Sequence, residues 1–378
     1  MTASRESCPA VALDVFPLRR FASGTEEYIE ALATALLHRG TPLTAVGGPA
    51  PTLEPGRPHL GLPERSRPSP WAKWQWEQRG LVGAARRTGA DVLHIPYMAH
   101  PPVPCAVPTV VTIHDVIPFT FPGYGGRLRD RLYFRGLPAR LDHATHLVAV
   151  SEATRDAVAD VFPDWIPRLS VIPNGIDEAF FEPPLPEAQE EAARLLGFQP
   201  DAGPPLILYV GNYQPHKNVG VLMRAMRDLR PDDARLVLTG SAGDAEVDAM
   251  VTELGVAERV IRLPRVGRPV LRALYAVAHV FAYPSKMEGF GLPPAQALAA
   301  GVPAAVSDAA AVVEVVGDAA RVSPADDAAA WTSTLHELLT LSGAERAQVV
   351  DGGRRRAEAF HWDVAAARYQ DLYREATS

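Results

Sequence analysis

The sequence predicts an α/β protein built from two Rossmann-like domains, and three features support that prediction. Short β-rich runs alternate with longer helical patterns along the whole chain, which is typical of parallel sheets assembled from βαβ units. The chain has 378 residues, more than a single hydrophobic core usually organises. Proline and charged residues concentrate near residues 175–205, so we expect the hinge between the two domains there.

Eleven short runs are predicted to be strands, six in the first half of the chain and five in the second. Segment 360–378 has apolar residues at helical spacing and predicts an amphipathic closing helix. Segment 49–70 is rich in proline and is predicted to be an exposed, mobile loop. The predicted strands are AVALDVF, TPLTAVGG, DVLHIP, TVVTIHD, HLVAVS and LSVIPNG, followed by PLILYVG, ARLVLTG, RVIRLP, VFAYPS and PAAVSD.

Composition and charge exclude several classes of protein. Apolar residues make up 47% of the chain and charged residues 21%, the balance of a globular protein rather than a disordered one. The formal net charge of −7 argues against broad electrostatic binding to nucleic acid. Cys8 and Cys105 cannot form a disulfide framework and lack metal-ligand spacing, which favours a reducing compartment.

The chain shows neither a signal-peptide pattern at its start nor an apolar segment of the roughly 18 residues that span a bilayer. We therefore expect a cytoplasmic protein without a transmembrane segment. Peripheral contact with a membrane stays open, because Trp71, Trp74 and Trp76 lie close together in WAKWQWEQRG. Such a cluster more often packs a helix onto its own domain, although it also suits an acceptor shelf or an interfacial contact.

The clearest candidate site is the turn EGFGLP, residues 288–293, between the strand VFAYPS and a predicted helix. A strand, a glycine-rich turn and a helix N-terminus form an anion site, because glycines let a phosphate approach unpaired N–H groups. Gln296 follows about one helical turn later, so we expect its amide to reach the ligand that Glu288 contacts. The alternative is an ordinary strand–helix turn with a surface carboxylate.

Lys217 lies in a second strand–turn–helix segment, VGNYQPHKN, residues 210–218. A bound diphosphate needs neutralising charge, and lysine supplies a compact one. The chain contains only three lysines among its 37 basic residues, so a lysine kept in such a loop is more informative than usual. Taken alone, Lys217 suits a solvated helix start equally well, and the Glu288 turn favours the diphosphate interpretation.

Other candidates lie in the first half of the chain. His114 and Asp115 end the predicted strand TVVTIHD, at the carboxyl edge where α/β proteins bind ligands. The histidine suits a hydrogen bond to a sugar, with Asp115 orienting its ring, and the alternative is a packed histidine. Gly24 opens the first predicted helix, either as a ligand loop or as a simple turn. Ser151 is expected to cap a helix, and Glu152 beside it is a further site candidate.

Together these segments resemble the retaining glycosyltransferases of family 4, which share the GT-B fold. The resemblance covers nearly the whole chain, from SGTEEY through HIPY, VTIHDVIPFTFP and VIPNGID to PHKN and YPSKMEGFGLPP. The combination of HIPY, IHDVIP and PHKN is similar to bacterial mannosyltransferase-like members. EGFGLP after YPS, with HKN about 70 residues upstream, is a specific combination, whereas an isolated glycine turn would be weak.

The resemblance implies two Rossmann-like domains that face each other across a cleft, with residues 1–185 on the acceptor side and residues 186–359 binding the donor. The closing helix, about 360–378, would cross back to the first domain. The donor would be a UDP, GDP or dTDP sugar, bound without a metal or other cofactor, and the acceptor is left unknown. The implied activity is retaining transfer of a hexosyl group, in the manner of a mannosyltransferase.

The resemblance also implies a role for each candidate residue. Lys217 would hold the diphosphate, Glu288 would contact the transferred sugar, and His114 would approach that sugar from the first domain. The implied donor-binding residues are Gly24, whose loop would close over the phosphates, Asn212, Val266 near the base, Gly289, Phe290, Gly291, Leu292, and Gln296 at the ribose.

The sequence departs from the family pattern at two positions. Members usually carry glutamate where this chain has Gln296, and many carry a second cation where it has Asn212. Both differences leave the donor side less charged, so the alternative is a catalytically weak nucleotide-sugar-binding protein, or a partner protein, of the same fold. Low turnover with every donor, despite tight nucleotide binding, would favour that alternative. A dehydrogenase is disfavoured because no G-x-G-x-x-G follows the first strand.

Overall fold

The computed structural model divides into two compact units, residues 1–175 with 360–378, and residues 176–359. The predicted mobile loop at 49–70 lies almost entirely outside the described residues. In the described part of the chain, no helix combines the length and the apolar character that crossing a bilayer requires. The structure describes residues 8–18, 24–48, 69–122, 124, 128–199, 203–231 and 233–378.

The first unit contains a six-stranded parallel sheet. Its strands are β1 (Val11–Asp14), β2 (Leu43–Val46), β3 (Val92–Ile95), β4 (Thr109–Ile113), β5 (His146–Ala149) and β6 (Leu169–Val171). Every residue of β1, β3 and β4 is buried, as expected for strands covered on both faces. The order across the sheet is β2-β1-β3-β4-β5-β6. The strand order therefore reverses at β1, with β2 on one side of it and β3 to β6 on the other. This is the topological switch point of the first unit.

Helices cover both faces of this sheet, and local signals fix several of their ends. The Ser151 hydroxyl accepts a hydrogen bond from the Thr154 amide at 2.9 Å, which confirms the predicted cap. Residues Trp76–Gly80 form a π-helical turn between two α-helices. The helices up to the boundary are α1 (Gly24–His38), α2 (Pro70–Gln75), α3 (Leu81–Thr88), α4 (Ile117–Thr120), α5 (Leu128–Leu141) and α6 (Glu152–Val161), followed by the 3-10 turn Pro163–Arg168.

The second unit contains another six-stranded parallel sheet. Its strands are β7 (Leu206–Tyr209), β8 (Arg235–Leu238), β9 (Val260–Arg262), β10 (Val280–Tyr283), β11 (Ala304–Ser307) and β12 (Arg321–Ser323). The order β12-β11-β10-β7-β8-β9 is that of the Rossmann fold, with its switch point between β7 and β10. All eleven predicted strands form. Among the strands of the described residues the sequence missed only β12, because Arg321 and Val322 are exposed on this short edge strand.

The helices of the second unit begin with strong local signals. Ser342 and Glu345 form a complete capping box at the start of one helix, and Asp327 caps another. The helices are α7 (Pro186–Leu196), α8 (Gly220–Asp228), α9 (Ala245–Glu253), α10 (Arg268–Val277), α11 (Leu292–Ala299), α12 (Ala310–Val316), α13 (Ala328–Leu339) and α14 (Gly343–Ala357), with 3-10 turns at Glu178–Phe181, Pro215–Lys217, Ala257–Arg259 and Gly317–Ala319.

The closing helix α15 (Trp362–Thr377) belongs to the first unit and packs against α1, as the sequence predicted. Of the predicted apolar positions, Ala366, Tyr369, Leu372 and Tyr373 are buried and Trp362 is half-buried. Gly175 permits the return, because a Cβ atom there would lie 2.3 Å from the backbone nitrogen of Trp362.

A buried polar network fastens α15 to the sheet. The Tyr369 hydroxyl hydrogen-bonds the Tyr28 hydroxyl on α1, and the Tyr373 hydroxyl lies 2.7 Å from His94 Nδ1. His94 Nε2 lies 2.9 Å from the Thr112 hydroxyl, so neighbouring strands join the same network. Burial, and then the nearby His114, lowers the pKa of His94 to about 3, which keeps that imidazole neutral.

The boundary between the units falls after Gly175, whereas the sequence placed it after residue 185. Ile176 is fully buried, and Asp177 pairs with Arg268 on α10 at 3.2 Å. The proline-rich segment that follows is therefore anchored to the second unit, although its composition is typical of a linker.

Candidate functional site

The candidate site lies at the switch point of the second unit, where the loops after β7 and β10 leave the sheet side by side. The two strands are neighbours, with Phe281 in register with Leu208. Their loops lead to helical segments that begin at Pro215 and Leu292. Ligands of doubly wound sheets bind outside the carboxyl ends of the strands at such a point. The fold therefore brings together the two turns that the sequence singled out.

Backbone hydrogen bonds join these two turns. The Lys286 amide donates to the His216 carbonyl at 2.7 Å, and the Ser285 hydroxyl donates to the same carbonyl at 3.2 Å. The hydroxyl of Ser307, the last residue of β11, donates to the Ser285 carbonyl. Because these bonds hold both loops, the side chains of residues 217 and 288 lie in direct contact.

Lys217 and Glu288 form an ion pair in which Nζ lies 2.6 Å from Oε1. Their side chains are 12% and 10% exposed, so the pair is shielded yet reachable from solvent. The Tyr283 hydroxyl donates to the same carboxylate oxygen at 2.7 Å. The Lys217 ammonium in turn donates to the Tyr283 hydroxyl at 3.2 Å. The three side chains thus form a closed triangle of short polar contacts.

Two titratable groups at this site, Tyr283 within the triangle and His216 beside Lys217, are neutral at neutral pH. Burial raises the pKa of Tyr283 well above its ordinary value, and the charge of Glu288 raises it further. The phenol therefore stays protonated and can donate. Burial, and then the charge of Lys217, lowers the pKa of His216. Tyr283 and His216 thus add no charge to the ion pair at neutral pH.

The start of α11 provides the second feature of the site. Gly291 caps this helix with φ = +95°, a conformation that residues with a Cβ atom rarely adopt. Gly289 and Phe290 before it are buried, and Leu292 after it is half-buried. Pro293 and Pro294 in the first turn have no N–H, so the donors at the positive end of the helix dipole are the amides of Gly291 and Leu292. This geometry suits an oxyanion beside Lys217.

Gln296 lies one turn into α11 and is only 2% exposed. Its Oε1 atom lies 3.4 Å from the Tyr275 hydroxyl on α10, which also lies 3.2 Å from the Pro293 carbonyl oxygen. In this arrangement the amide is tied to α10. Its contact with a ribose stays a prediction.

Two other predicted donor-binding residues lie in loops at the same edge of the sheet. Asn212 is exposed after β7, where its carbonyl accepts a hydrogen bond from the Tyr209 hydroxyl at 2.7 Å. Its side-chain oxygen accepts one from the Gln214 amide at 3.2 Å. Val266 lies half-buried between β9 and α10. Both positions follow strands of the second unit's sheet, and their roles stay predictions.

His114 follows β4 in the first unit and is half-buried. Its Nε2 atom lies 2.9 Å from the Pro96 carbonyl oxygen. A carbonyl only accepts, so Nε2 carries the hydrogen and Nδ1 is the acceptor of the neutral ring. Burial lowers the pKa of His114 and favours this neutral form. Asp115 accepts a hydrogen bond from the Ile117 amide at 3.0 Å and thereby caps α4.

Gly24 and Glu152 each begin a helix of the first unit. Gly24 is the first residue of α1, and within the described ranges a Cβ atom there would meet no atom closer than 4 Å. Glu152 is the first residue of α6, where its half-exposed side chain pairs with Arg155. The structure places His114, Gly24 and Glu152 in one unit, and Lys217 and Glu288 in the other.

The switch point of the first unit is filled by the chain's own side chains. Asp14, the last residue of β1, accepts hydrogen bonds from the Tyr97 hydroxyl at 2.6 Å and from Trp76 Nε1 at 3.1 Å. Burial raises the pKa of Asp14 to about 6, although these hydrogen bonds lower it. Glu77 beside it is also fully buried and accepts from the Tyr133 hydroxyl at 3.1 Å.

The tryptophan cluster divides into a packed part and an exposed part. Trp76 stacks on Phe16, with ring centroids 5.5 Å apart. Trp71 and Trp74 stack on each other at 4.8 Å, and they remain 62% and 44% exposed. The packing interpretation therefore holds for Trp76 and is wrong for the other two. Trp71 and Trp74 are three residues apart and share one helical face, whereas Trp76 lies on another.

The sequence missed Tyr283 and Asp14. Each is the last residue of a strand beside a switch point, and this position was the available signal. A tyrosine that ends an apolar strand also suits a core position, and an aspartate after a strand also suits a turn. Only their hydrogen bonds separate these interpretations.

Comparison with known proteins gives matches in both halves of the chain. The family model for glycosyltransferase family 4 matches residues 22–180, and the model for glycosyl transferases group 1 matches residues 197–356. The O-antigen chain mannosyltransferase B of Escherichia coli is 30% identical over 272 residues, which are 70% of this chain and 70% of that protein.

A second relative is the D-inositol 3-phosphate glycosyltransferase of Xylanimonas cellulosilytica, 34% identical over 241 residues. The match covers 61% of this chain and 57%, less than two thirds, of that relative's length. Among solved structures, sucrose-phosphate synthase from Thermosynechococcus elongatus aligns with a TM-score of 0.73 at 20% identity. That alignment covers 97% of this chain and 98% of the other, so the two share a fold.

Proposed function

Because the chain belongs to glycosyltransferase family 4, we propose that it transfers a hexosyl group from a nucleotide diphosphate sugar to an acceptor hydroxyl, with retention of the anomeric configuration. The observation that carries this proposal is the Lys217–Glu288 pair beside the N-terminus of α11. A lysine and a helix N-terminus together bind a diphosphate, and a carboxylate next to them accepts hydrogen bonds from a sugar.

The charge that develops during transfer lies on the leaving diphosphate. Lys217 and the backbone N–H groups of Gly291 and Leu292 at the start of α11 stabilise that charge, and removal of one such donor typically slows an enzyme by about a hundredfold or more. On donor binding the ammonium gains phosphate oxygens as partners, and Glu288 becomes available to the hydroxyls of the sugar. The bond from the anomeric carbon to the phosphate oxygen breaks, and the acceptor oxygen attaches on the same face. The acceptor's proton passes to the leaving phosphate.

The remaining candidates complete the proposal. Nδ1 of His114 accepts a hydrogen bond from a hydroxyl of the transferred sugar, because Nε2 is already occupied by Pro96. The Gly24 turn contributes N–H groups to the phosphates. Val266 supports the base, and the Gln296 amide meets the ribose after release from Tyr275.

A donor screen tests this function. Purified protein is heated with UDP, GDP, dTDP and ADP sugars, and product formation with simple acceptors is followed for each donor that stabilises it. The Escherichia coli relative is a mannosyltransferase, so a mannosyl donor comes first. A bound donor at a hundred times its Kd stabilises by about 2.7 kcal/mol. EDTA is expected to leave the rate unchanged. Stabilisation without turnover by any donor would favour a weak binding protein, and no stabilisation at all would refute the proposal.

A further inference from the structure

Tyr283 is the part of the triangle that family membership leaves without a role. It is the last residue of β10, its side chain is 1% exposed, and its ring stacks between Tyr209 and Phe281 at centroid distances of 6.1 and 5.9 Å. A ring packed on both sides in the centre of a sheet cannot move when a ligand binds. Its hydroxyl is therefore a fixed point of the site.

The fixed hydroxyl and the mobile ammonium share one acceptor. Glu288 Oε1 lies 2.7 Å from the Tyr283 hydroxyl and 2.6 Å from Lys217 Nζ. Lysine is a flexible point charge, and a diphosphate competes with the carboxylate for it. When Lys217 moves toward phosphate, Glu288 loses a charge-assisted hydrogen bond and retains the one from Tyr283. A carboxylate held by a rigid donor keeps its orientation toward the sugar, whereas one without a donor turns toward water.

We propose that Tyr283 is a positioning residue that holds Glu288 in place for the sugar after Lys217 has turned to the diphosphate. This inference rests on the proposed function and assigns separate roles within it to two residues. Lys217 determines affinity for the diphosphate, and Tyr283, acting through Glu288, determines the affinity that the sugar adds. A purely structural role for Tyr283 predicts no such difference between the affinity for the diphosphate and the affinity that the sugar adds.

The test compares binding of a nucleoside diphosphate with binding of its sugar conjugate by calorimetry, using the nucleotide that wild type prefers. Tyr283→Phe keeps the ring and removes only the hydroxyl. We expect its Kd for the nucleoside diphosphate to stay within about twofold of wild type, while the extra affinity due to the sugar falls by about tenfold or more. Its kcat should fall by a similar factor, with its melting temperature nearly unchanged.

Two further variants control the experiment. Tyr213→Phe removes a neighbouring hydroxyl, which donates to the Thr239 carbonyl at 2.7 Å, and should leave both affinities unchanged. In a Glu288→Ala background, Tyr283→Phe should add no further loss, because the hydroxyl acts through that carboxylate.

The outcomes separate this inference from the proposed function. Wild type that binds no nucleotide sugar overturns both. If wild type binds a nucleotide sugar, and the Tyr283→Phe variant keeps the full affinity that the sugar adds, this inference alone is overturned. A loss that persists in the Glu288→Ala background, or a variant that weakens diphosphate and conjugate equally, also overturns it.

Discussion

At the switch point of the second unit, Lys217 and Glu288 keep side-chain exposures of 12% and 10%, whereas Asp14 and Glu77 at that of the first unit are fully buried. Both units present carboxylates and tyrosine hydroxyls at the same place in a parallel sheet. In the second unit, Lys217 pairs with Glu288. In the first, Lys73 and Arg140 pair with Glu77, and the indole of Trp76 covers Asp14.

The contrast shows that position in the fold does not by itself make a ligand site. A switch point offers strand ends and helix starts, but the side chains that follow decide whether solvent enters. The Lys217–Glu288 pair leaves the switch point of the second unit, the open crevice, polar and partly exposed. At the switch point of the first unit, the closed crevice, the Trp76 ring packs over Asp14, whose carboxylate is buried with hydrogen bonds from Trp76 and Tyr97.

The largest expected effect tests the open crevice. Lys217→Ala should lower kcat by about a hundredfold, equivalent to ~3 kcal/mol, because the charge of the leaving diphosphate loses its cation. Single-turnover rates and melting temperature are measured on the same preparation. Lys286→Ala is the matched control, since this lysine lies two residues before Glu288, pairs with the exposed Asp326 at 2.6 Å and should keep its rate. Wild-type turnover in Lys217→Ala would show that the open crevice is not the active site.

The second effect tests the closed crevice through its pH dependence. Burial raises the pKa of Asp14 from its ordinary value of 3.8 to about 6 in the folded protein. Between these values the folded state binds more protons than the unfolded chain, so Asp14 makes the free energy of unfolding fall as pH rises. Asp14→Asn removes this contribution. Its unfolding free energy relative to wild type should therefore rise by roughly 2 to 3 kcal/mol from pH 4 to pH 7.

Urea titrations of both proteins at intermediate pH values measure that difference. His94, whose pKa is lowered to about 3, has the opposite slope, since it destabilises the folded state as pH falls below the unfolded value near 6.5. It is present in both proteins and cancels in the difference. A difference that does not change with pH would mean that solvent reaches Asp14.

A smaller effect tests backbone strain at the start of α11, separately from the charge of Lys217. Gly291→Ala should destabilise the protein by about 1 to 2 kcal/mol, because alanine resists the positive φ that starts α11. Binding of nucleoside diphosphate should weaken severalfold as the first turn shifts. Gly343→Ala is the control, since Gly343 also begins a helix, without positive φ, and has open space around it. Equal stability of the two variants would argue against strain.

The smallest effect concerns the exposed tryptophans beside the closed crevice. Replacing Trp71 and Trp74 together with alanine should change the free energy of unfolding by less than about 0.5 kcal/mol, because the two exposed rings stack on each other. Trp76→Ala should cost several times more, since its ring covers Asp14 and Phe16. Thermal denaturation compares the two. A large loss for the exposed pair would show that another part of the chain packs on it.

Sequence patterns predicted the parts of this structure that burial dictates. The predicted strands are apolar because helices cover both faces of each sheet. β12 was not predicted because it is a short edge strand with exposed residues. The proximity of Lys217 and Glu288 could be predicted, because each lies in a turn that follows a strand. Hydrogen-bond partners could not be predicted, because tyrosines such as Tyr283 and Tyr97 suit a core equally well without them.

The division of the tryptophans shows a second limit. Helical spacing predicts which residues share a face, but it does not say whether that face is covered. Similarly, the composition of residues 176–185 is that of a linker, yet Ile176 is fully buried and Asp177 pairs with Arg268. Tertiary contacts decided both cases.

The return of α15 has a consequence for the order of folding during synthesis. Tyr369 hydrogen-bonds Tyr28, a residue that leaves the ribosome 341 residues earlier. The second unit is continuous, so it can fold as soon as it emerges, although it is synthesised later than most of the first. Until the last helix is released, His94, Thr112 and Tyr28 lack their closing partners. A nascent or C-terminally truncated chain would therefore expose this face to chaperones and proteases, while its second unit is already folded.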